Sequence, residues 1–335
     1  MSNLIVYKMK KSVNLFLIFW ILSLVILVQG CKKGELPEIA TVEITGLTIN
    51  SAISGGTIIS DGGCDITEKG VCWNTTGNPT TSGSKTSNGT GSNNFSSNIT
   101  GLLPANKYFV KAFATSEVGT AYGEEMIFNT KVADVEGNQY NTINIGTQVW
   151  MAENLKTTKY NDNTEIPLVE DNTAWSTSTA PGLCWANDNE AVNKPLYGAL
   201  YNWYAANNEK LCPAGWHVPT DAEYKTMEMS LGLSQATADQ TDWRGTDQGK
   251  KMKNTTGWSA NENGTNTSGF SALPGGYRHH STGAYNGLGV LGYWWCSNGP
   301  DSESGWYRRL DGGNNAVYRA STLKRAGKSV RCIKN

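Results

Sequence analysis

The sequence predicts a β-rich protein of two domains, an antiparallel sandwich followed by an α+β domain. Its 335 residues suffice for two cores of ordinary size. From residue 38 to 131, short β-prone runs alternate with Gly, Asn and Ser turns, whereas residues 134 to 335 mix helical and strand patterns. Twelve Trp accompany a high content of turn-forming residues, and no long apolar-periodic stretch calls for a helical bundle. The formal net charge of −1 and scattered Lys and Arg leave no basic stripe for a phosphate backbone, so nucleic acid is excluded as an expected partner.

The first thirty residues differ from the rest. Lys8, Lys10 and Lys11 precede an apolar run from Leu15 to Val28, interrupted only by Ser23. Residues 1–30 therefore resemble a signal peptide, the run falling short of the roughly 20 apolar residues of a bilayer span. An uncleaved anchor is the alternative. The next residues, Val28-Gln29-Gly30-Cys31, resemble a bacterial lipobox. That resemblance implies lipidation at Cys31, a tether over residues 31–37, and a lipoprotein anchored in the cell envelope, expected at the outer membrane and facing outward. Each acyl methylene buried in the bilayer contributes about 0.8 kcal/mol.

Export places the remaining cysteines where disulfides persist. Cys64 and Cys72 lie in the first region, and Cys184, Cys212, Cys296 and Cys332 in the second, an even number in each. Spacing alone leaves the connectivity open, and no CxxC pair supports a zinc knuckle.

In the first region the expected strands are Thr41 to Ile44, Gly56 to Ser60, Gly70 to Trp73, Asn94 to Ile99, Lys107 to Thr115 and Ala121 to Asn129. Alternation in the fifth places Tyr108, Val110, Ala112 and Ala114 on one face. The run Leu102-Leu103-Pro104-Ala105-Asn106-Lys107-Tyr108, with Gly119 before the next strand, resembles a fibronectin type III domain at its penultimate strand. The resemblance implies a corner tyrosine hydrogen-bonded to nearby backbone. A hairpin between Cys64 and Cys72 would bring their Cβ atoms within the ~4 Å of a disulfide; buried free thiols are the alternative.

In the second region Asn141 to Ile145 and Gln148 to Met151 flank Gly146-Thr147, which suits a type II′ hairpin with Ile143 opposite Trp150. Trp150 is thus expected in the core. Leu196 to Ala206 carries apolar residues at three- and four-residue steps, as in a helix with an aromatic face. Thr220 and Glu223 form a capping box that opens a helix through about Leu231. His217 has no nucleophile or carboxylate at a recognisable catalytic spacing, and His279 and His280, being adjacent, would point to opposite faces of a strand. Four strands are expected at the end: Gly292 to Ser297, Ser304 to Leu310, Asn315 to Arg319 and Lys328 to Ile333.

The segments "VWMAENLKTTKYNDNTEIP", "YGALYNWYA", "LCPAGWHVPTDAEY", "GFSALPGGYR" and "SVRCIKN" occur in this order. Together they resemble the Fibrobacter succinogenes major paralogous domain, a family of exported bacterial proteins, over residues 134 to 335. That family is distantly similar to the C-type lectin-like fold. The expected fold class is therefore a fibronectin type III-like β-sandwich followed by an α+β C-type lectin-like domain. The lectin analogy implies a Cys212–Cys332 disulfide, leaving Cys184 and Cys296 to pair with each other.

Three function classes fit unequally. Ten of the twelve Trp lie at or beyond Trp150 among polar loops, and aromatic faces with amide and carboxylate neighbours suit sugar rings. A surface-displayed module binding glycans or surface proteins is the preferred reading, with Trp294, Trp295 and Trp306 as candidate ligand-binding residues; core filler is the alternative for any Trp. A structural component of the envelope fits the same architecture. An enzyme fits less well, because no catalytic residues stand out. No metal or other cofactor is expected: the Glu-Pro-Asn, Gln-Pro-Asp and Trp-Asn-Asp triplets of calcium-dependent lectins are missing from the sequence.

Overall fold

The computed structural model describes residues 34–259 and 262–335. The expected signal peptide and Cys31 lie outside the described residues.

Residues 38–131 form the expected sandwich. One sheet has three strands, Glu38–Thr45, Ser51–Ser60 and Phe95–Thr100. The other is built on Glu68–Asn74 and Lys107–Thr115, with Ser84–Lys85, Thr120–Tyr122 and Met126–Asn129 beside them. The last expected strand is thus broken in two, both pieces pairing with Lys107–Thr115. Tyr108, Val110, Ala112 and Ala114 all enter the core between the sheets, as their alternation requires. The Leu103 backbone N–H donates to the Tyr108 hydroxyl at 2.9 Å, the corner hydrogen bond that the fibronectin resemblance implies.

The Cys64 to Cys72 hairpin does not form. Ser51–Ser60 belongs to one sheet and Glu68–Asn74 to the other, so the segment between them crosses the sandwich. Both thiols are free. The Cys64 thiol donates to Glu117 Oε1 at 3.4 Å, and that of Cys72 to the Lys111 carbonyl at 3.6 Å.

The second domain holds a four-stranded sheet in the order Thr142–Ile145, Gln148–Met151, Ile333–Lys334, Trp216–His217. Its first hairpin has the expected register, Ile143 opposite Trp150, with Gly146 alone of the two loop residues at positive φ (+60°). Trp150 is fully buried against Tyr224 and Phe270. The domain's last strand pairs with this hairpin, and Cys332 beside it is bonded to Cys212, 120 residues away in sequence. Cys184 and Cys296 do not pair: they sit buried in separate clusters, the Cys184 thiol donating to the Leu200 carbonyl and Cys296 Sγ accepting from Arg308. Burial pushes the Cys184 thiol up to about 11 and the Cys296 thiol up to about 12, so both remain protonated.

The single helix expected over Leu196 to Ala206 is three elements. A helix over Glu190–Tyr197 ends at Gly198, whose φ is +71°. A Cβ there would lie 2.6 Å from the Leu155 carbonyl oxygen, so glycine both permits the turn and admits the close approach. Leu200–Tyr201 then pairs with Leu183–Cys184, and the Asn202 side chain caps a short helix over Trp203–Ala206. The expected Lys328 to Ile333 strand is also modified. Gly327, Lys328 and Ser329 bridge Arg278, Tyr201 and Trp294 in turn, and regular pairing resumes only at Ile333–Lys334.

The main sheet has six strands in the order Asp242–Arg244, Val317–Leu323, Ser304–Asp311, Leu291–Trp295, Gly275–Arg278, Tyr285–Leu288. Across its inner face lies the helix Asp221–Ser230, opened by the expected Thr220/Glu223 capping box. Asp221 and Glu228, seven residues apart and so on one helix face, meet three arginines from the sheet. Arg308 reaches both, Nε at 2.6 Å from Glu228 and Nη1 at 2.8 Å from Asp221. Arg244 grips Glu228 at 2.9 and 3.1 Å, and Arg319 grips Asp221 with two contacts of 2.8 Å. All five side chains are buried. Burial works to raise the Asp221 carboxyl, but the Arg319 and Arg308 guanidiniums outweigh it and hold it at about 2.

Reducing the Cys212–Cys332 bond should lower stability by about 4 kcal/mol through the freed loop, read as a fall in the urea midpoint of the second domain. Glu228→Gln should cost about 3–5 kcal/mol, because Arg244 and Arg308 keep their charge without its counterpart. The Asp221 contribution is complete above the unfolded carboxyl value of about 4. It should be lost as pH falls towards 2, and urea unfolding across this range should show a weaker acid dependence in Asp221→Asn.

Candidate functional site

Strand alternation fixes what the six-stranded sheet displays on its other face. With Trp294, Arg308 and Arg319 turned inward, Tyr293, Trp295, Tyr307, Arg309 and Tyr318 turn outward. In cross-strand register, Tyr293 pairs with Arg309, Arg309 with Tyr318, and Tyr318 with Trp243 of the edge strand. The result is one row across four strands.

Arg309 stands at the centre of the row. Its guanidinium carbon lies 5.4 Å from the Tyr318 ring centre, 5.5 Å from Trp243 and 5.7 Å from Tyr293. Asp311 holds it in place with two hydrogen bonds of 2.5 Å. Tyr318 donates its hydroxyl to Asp242 at 2.8 Å, which fixes a second ring. Tyr277 continues the row, its ring centre 4.7 Å from that of Tyr293. Exposure rises along the row from Tyr293 at 7% to Trp243 at 36%, and Tyr277, Tyr307, Arg309 and Tyr318 are half-buried. A half-buried ring is held rigid by its neighbours yet still offers a face, so ligand stacking on it costs little side-chain entropy.

The tryptophans expected to form the platform stand next to it, and two of them are core. Trp294 and Trp295 are both fully buried, because the strand that carries them is covered on both faces at that point. They enter different clusters, as consecutive residues must. Trp294 Nε1 donates to Asn154 Oδ1 at 2.8 Å, and Trp295 Nε1 to the Tyr201 carbonyl at 2.9 Å. Trp306 points to the inner face, and the Arg319 guanidinium covers its ring at 4.0 Å. Trp294 and Trp295 offer no free ring face, and the half-buried Trp306 has one face taken by Arg319. Sequence reasoning missed Trp243, Tyr277, Tyr293, Arg309 and Tyr318, though a signal was present: the alternation in "GYWWC" and "GWYRRL" separates Tyr293, Tyr307 and Arg309 from the residues behind them.

The histidines are placed by structure as well. His217 is held between Glu223 and Asn335, with Nε2 2.8 Å from Glu223 Oε1 and Nδ1 2.6 Å from Asn335 Oδ1. The other oxygen of Glu223 accepts from Thr220, so the carboxylate is committed to the helix cap. Beside His217 is a cleft of 590 Å³ lined in part by Asn161, Asn207, Asn208 and Glu209; its amides can hydrogen-bond hydroxyl groups. His279 and His280 follow the Gly275–Arg278 strand, outside its pleat, and stack on each other at 4.4 Å instead of diverging. Two loop carboxylates are committed locally: Asp188 accepts from the Tyr285 hydroxyl, and Asp301 accepts from two backbone N–H groups of its own turn. Among the described residues no three His, Cys, Asp or Glu side chains converge on a point that could hold a metal ion.

Several solved structures are similar to part of the chain. The sensor domain of the anti-sigma factor RsgI4 of Pseudobacteroides cellulosolvens is 19% identical over 29% of this chain and 95% of its own, with a TM-score of 0.23. The fourth fibronectin type III domain of a human protein is 17% identical over 31% of this chain and 87% of its own, with a TM-score of 0.25. The sixth domain of human fibronectin type III domain containing protein 3 is 23% identical over 30% and 90%, with a TM-score of 0.22. No curated protein matches the chain. The family model described as the Fibrobacter succinogenes major domain matches residues 143–334, which is more than half of the chain and nearly all of its second domain. The chain belongs to the Fibrobacter succinogenes major domain family.

Proposed function

We propose that this protein is a binding module of the cell envelope and that the outer face of its six-stranded sheet is a glycan-binding platform. The observation that carries this is the row Trp243, Tyr318, Arg309, Tyr293, Tyr277, in which rings are spaced 4.7 to 5.7 Å from their neighbours or from the guanidinium between them. Sugar rings have apolar C–H faces that stack on such rings and hydroxyl edges that hydrogen-bond to guanidinium, carboxylate and phenol groups. A row, unlike a single ring, suits a chain of sugars. No catalytic step belongs to this reading, and no metal contributes to it. We further read the second domain as lectin-like, since its first hairpin and last strand are paired and the Cys212–Cys332 bond staples that end. Lipidation at Cys31 would anchor the chain outside the membrane, with the sandwich as spacer.

A glycan array probed with the purified full chain, in calcium and in chelator, tests the platform. Saturable binding is expected in both, weakened at least tenfold by Trp243→Ala or Tyr318→Ala. Absence of binding from a demonstrably folded chain would favour a structural role instead, and binding insensitive to both substitutions would place the site elsewhere. The same variants separate display from folding. Trp294→Ala or Trp295→Ala should cost about 3–5 kcal/mol in urea unfolding, whereas Trp243→Ala should cost about 1 kcal/mol or less.

A further inference from the structure

We infer that the platform takes an anionic glycan, one bearing carboxylate or sulfate groups, and that Lys328 is the residue that meets its charge. This rests on the glycan-platform reading and adds the ligand's chemical class. Lys328 is only 2% exposed. Its Nζ lies among four rings of the outer face, 4.1 Å from the centre of Tyr307, 4.3 Å from Tyr293, 5.0 Å from Trp295 and 5.4 Å from Tyr277. Among the described residues it makes no hydrogen bond and no ion pair.

Other buried cations are treated differently. Lys253 donates to three backbone carbonyls and Lys69 to two. Arg278 reaches the carbonyls of Val169, Glu170 and Gly283, Arg331 reaches Asn154 and the Phe270 carbonyl, and Arg244, Arg308 and Arg319 have their carboxylates. Lys328 is the exception, a buried ammonium with ring faces but no oxygen. Cation–π contacts attract a desolvated ammonium, but burying one is costly. They offset part of that cost and provide no counter-charge. Burial, with repulsion from Arg309, accordingly draws the amine well below the ordinary lysine range.

The surroundings are suited to an oxyanion. The hydroxyls of Tyr277, Tyr293 and Tyr307 also make no hydrogen bond among the described residues, and burial pushes that of Tyr307 up to about 12, so it stays a donor at neutral pH. The nearby carboxylates are occupied, Asp311 by Arg309 and Asp242 by the Tyr318 hydroxyl. An acidic group lying on the rings would supply the missing acceptor to the ammonium and accept from the phenols, while its sugar ring stacks along the row.

The test is an array of paired glycans, each uronic-acid oligosaccharide beside its methyl ester and each sulfated one beside its desulfated parent, probed with the full chain and with Lys328→Met. Met keeps the length of the stem and removes a buried amine that has no hydrogen-bond partner among the described residues, so the thermal midpoint should not fall. The wild-type chain should bind the bound acidic members at least tenfold more tightly than their neutral partners, and Lys328→Met should abolish that preference while keeping Trp243-dependent binding of the neutral forms. Equal binding of acid and neutral partners by the wild type, or a preference that survives in Lys328→Met, overturns the inference and leaves the platform standing. Binding of no glycan overturns both.

Discussion

The contact on which the display surface depends is buried on the opposite side of its sheet. Asp221 and Glu228 project from one helix into three arginines supplied by three neighbouring strands. A buried ion pair is a poor source of net stability, because desolvation consumes most of the Coulombic gain, but breaking one is costly. Its effect here is on register. Sliding any of these strands by one residue would turn its arginine away from the carboxylates and exchange the two faces; in the direction that brings the preceding residue inward, Trp243, Tyr307 or Tyr318 would take its place. The carboxylates behind the sheet thereby decide that Trp243, Arg309 and Tyr318 face outward.

A second buried residue ties this sheet to the rest of the domain. Asn154 Oδ1 accepts from Trp294 Nε1 at 2.8 Å and from Arg331 Nη2 at 2.7 Å, while its Nδ2 donates to the Tyr197 carbonyl at 2.8 Å. Four distant parts of the chain thus meet at one amide. The "VWMAENL" stretch around it is architectural: Trp150 and Met151 fill the core, and Leu155 N–H donates to the Val330 carbonyl at 2.8 Å. The sandwich joins the same body. Lys334 Nζ donates to the Ala105 carbonyl at 3.0 Å, and Thr142 Oγ1 to that of Thr130 at 2.9 Å, so the sandwich and the second domain share a packed junction.

Much of the fold was legible because it rests on local rules. The Gly146-Thr147 hairpin, the Thr220/Glu223 cap, the corner tyrosine Tyr108 and the alternation from Lys107 to Thr115 each follow from turn chemistry or periodicity within a few residues. The errors arose where distant packing decides. Three- and four-residue spacing from Leu196 to Ala206 favours a helix, but Gly198 and Asn202 cut it where the chain must pass Leu155 and Asn154. Cys64 and Cys72 are close in sequence yet separated by a sheet crossing, which no spacing rule reveals. The site was half legible. Ligand-binding aromatics at Trp294, Trp295 and Trp306 were expected, but a strand buried on both faces hides Trp294 and Trp295, and only the sheet order brings Trp243 and Tyr318 beside Arg309.

The central claim, that the register locks one aromatic face outward for a ligand, is tested most directly by hydroxyl-radical footprinting of the full chain with and without a surface-glycan extract. Rapid oxidation of Trp243 with protection by the extract, beside slow oxidation of Trp294 and Trp295 in both conditions, is the predicted result. Equal labelling of Trp243 and Trp294, or a Trp243 that the extract leaves unprotected, would contradict it.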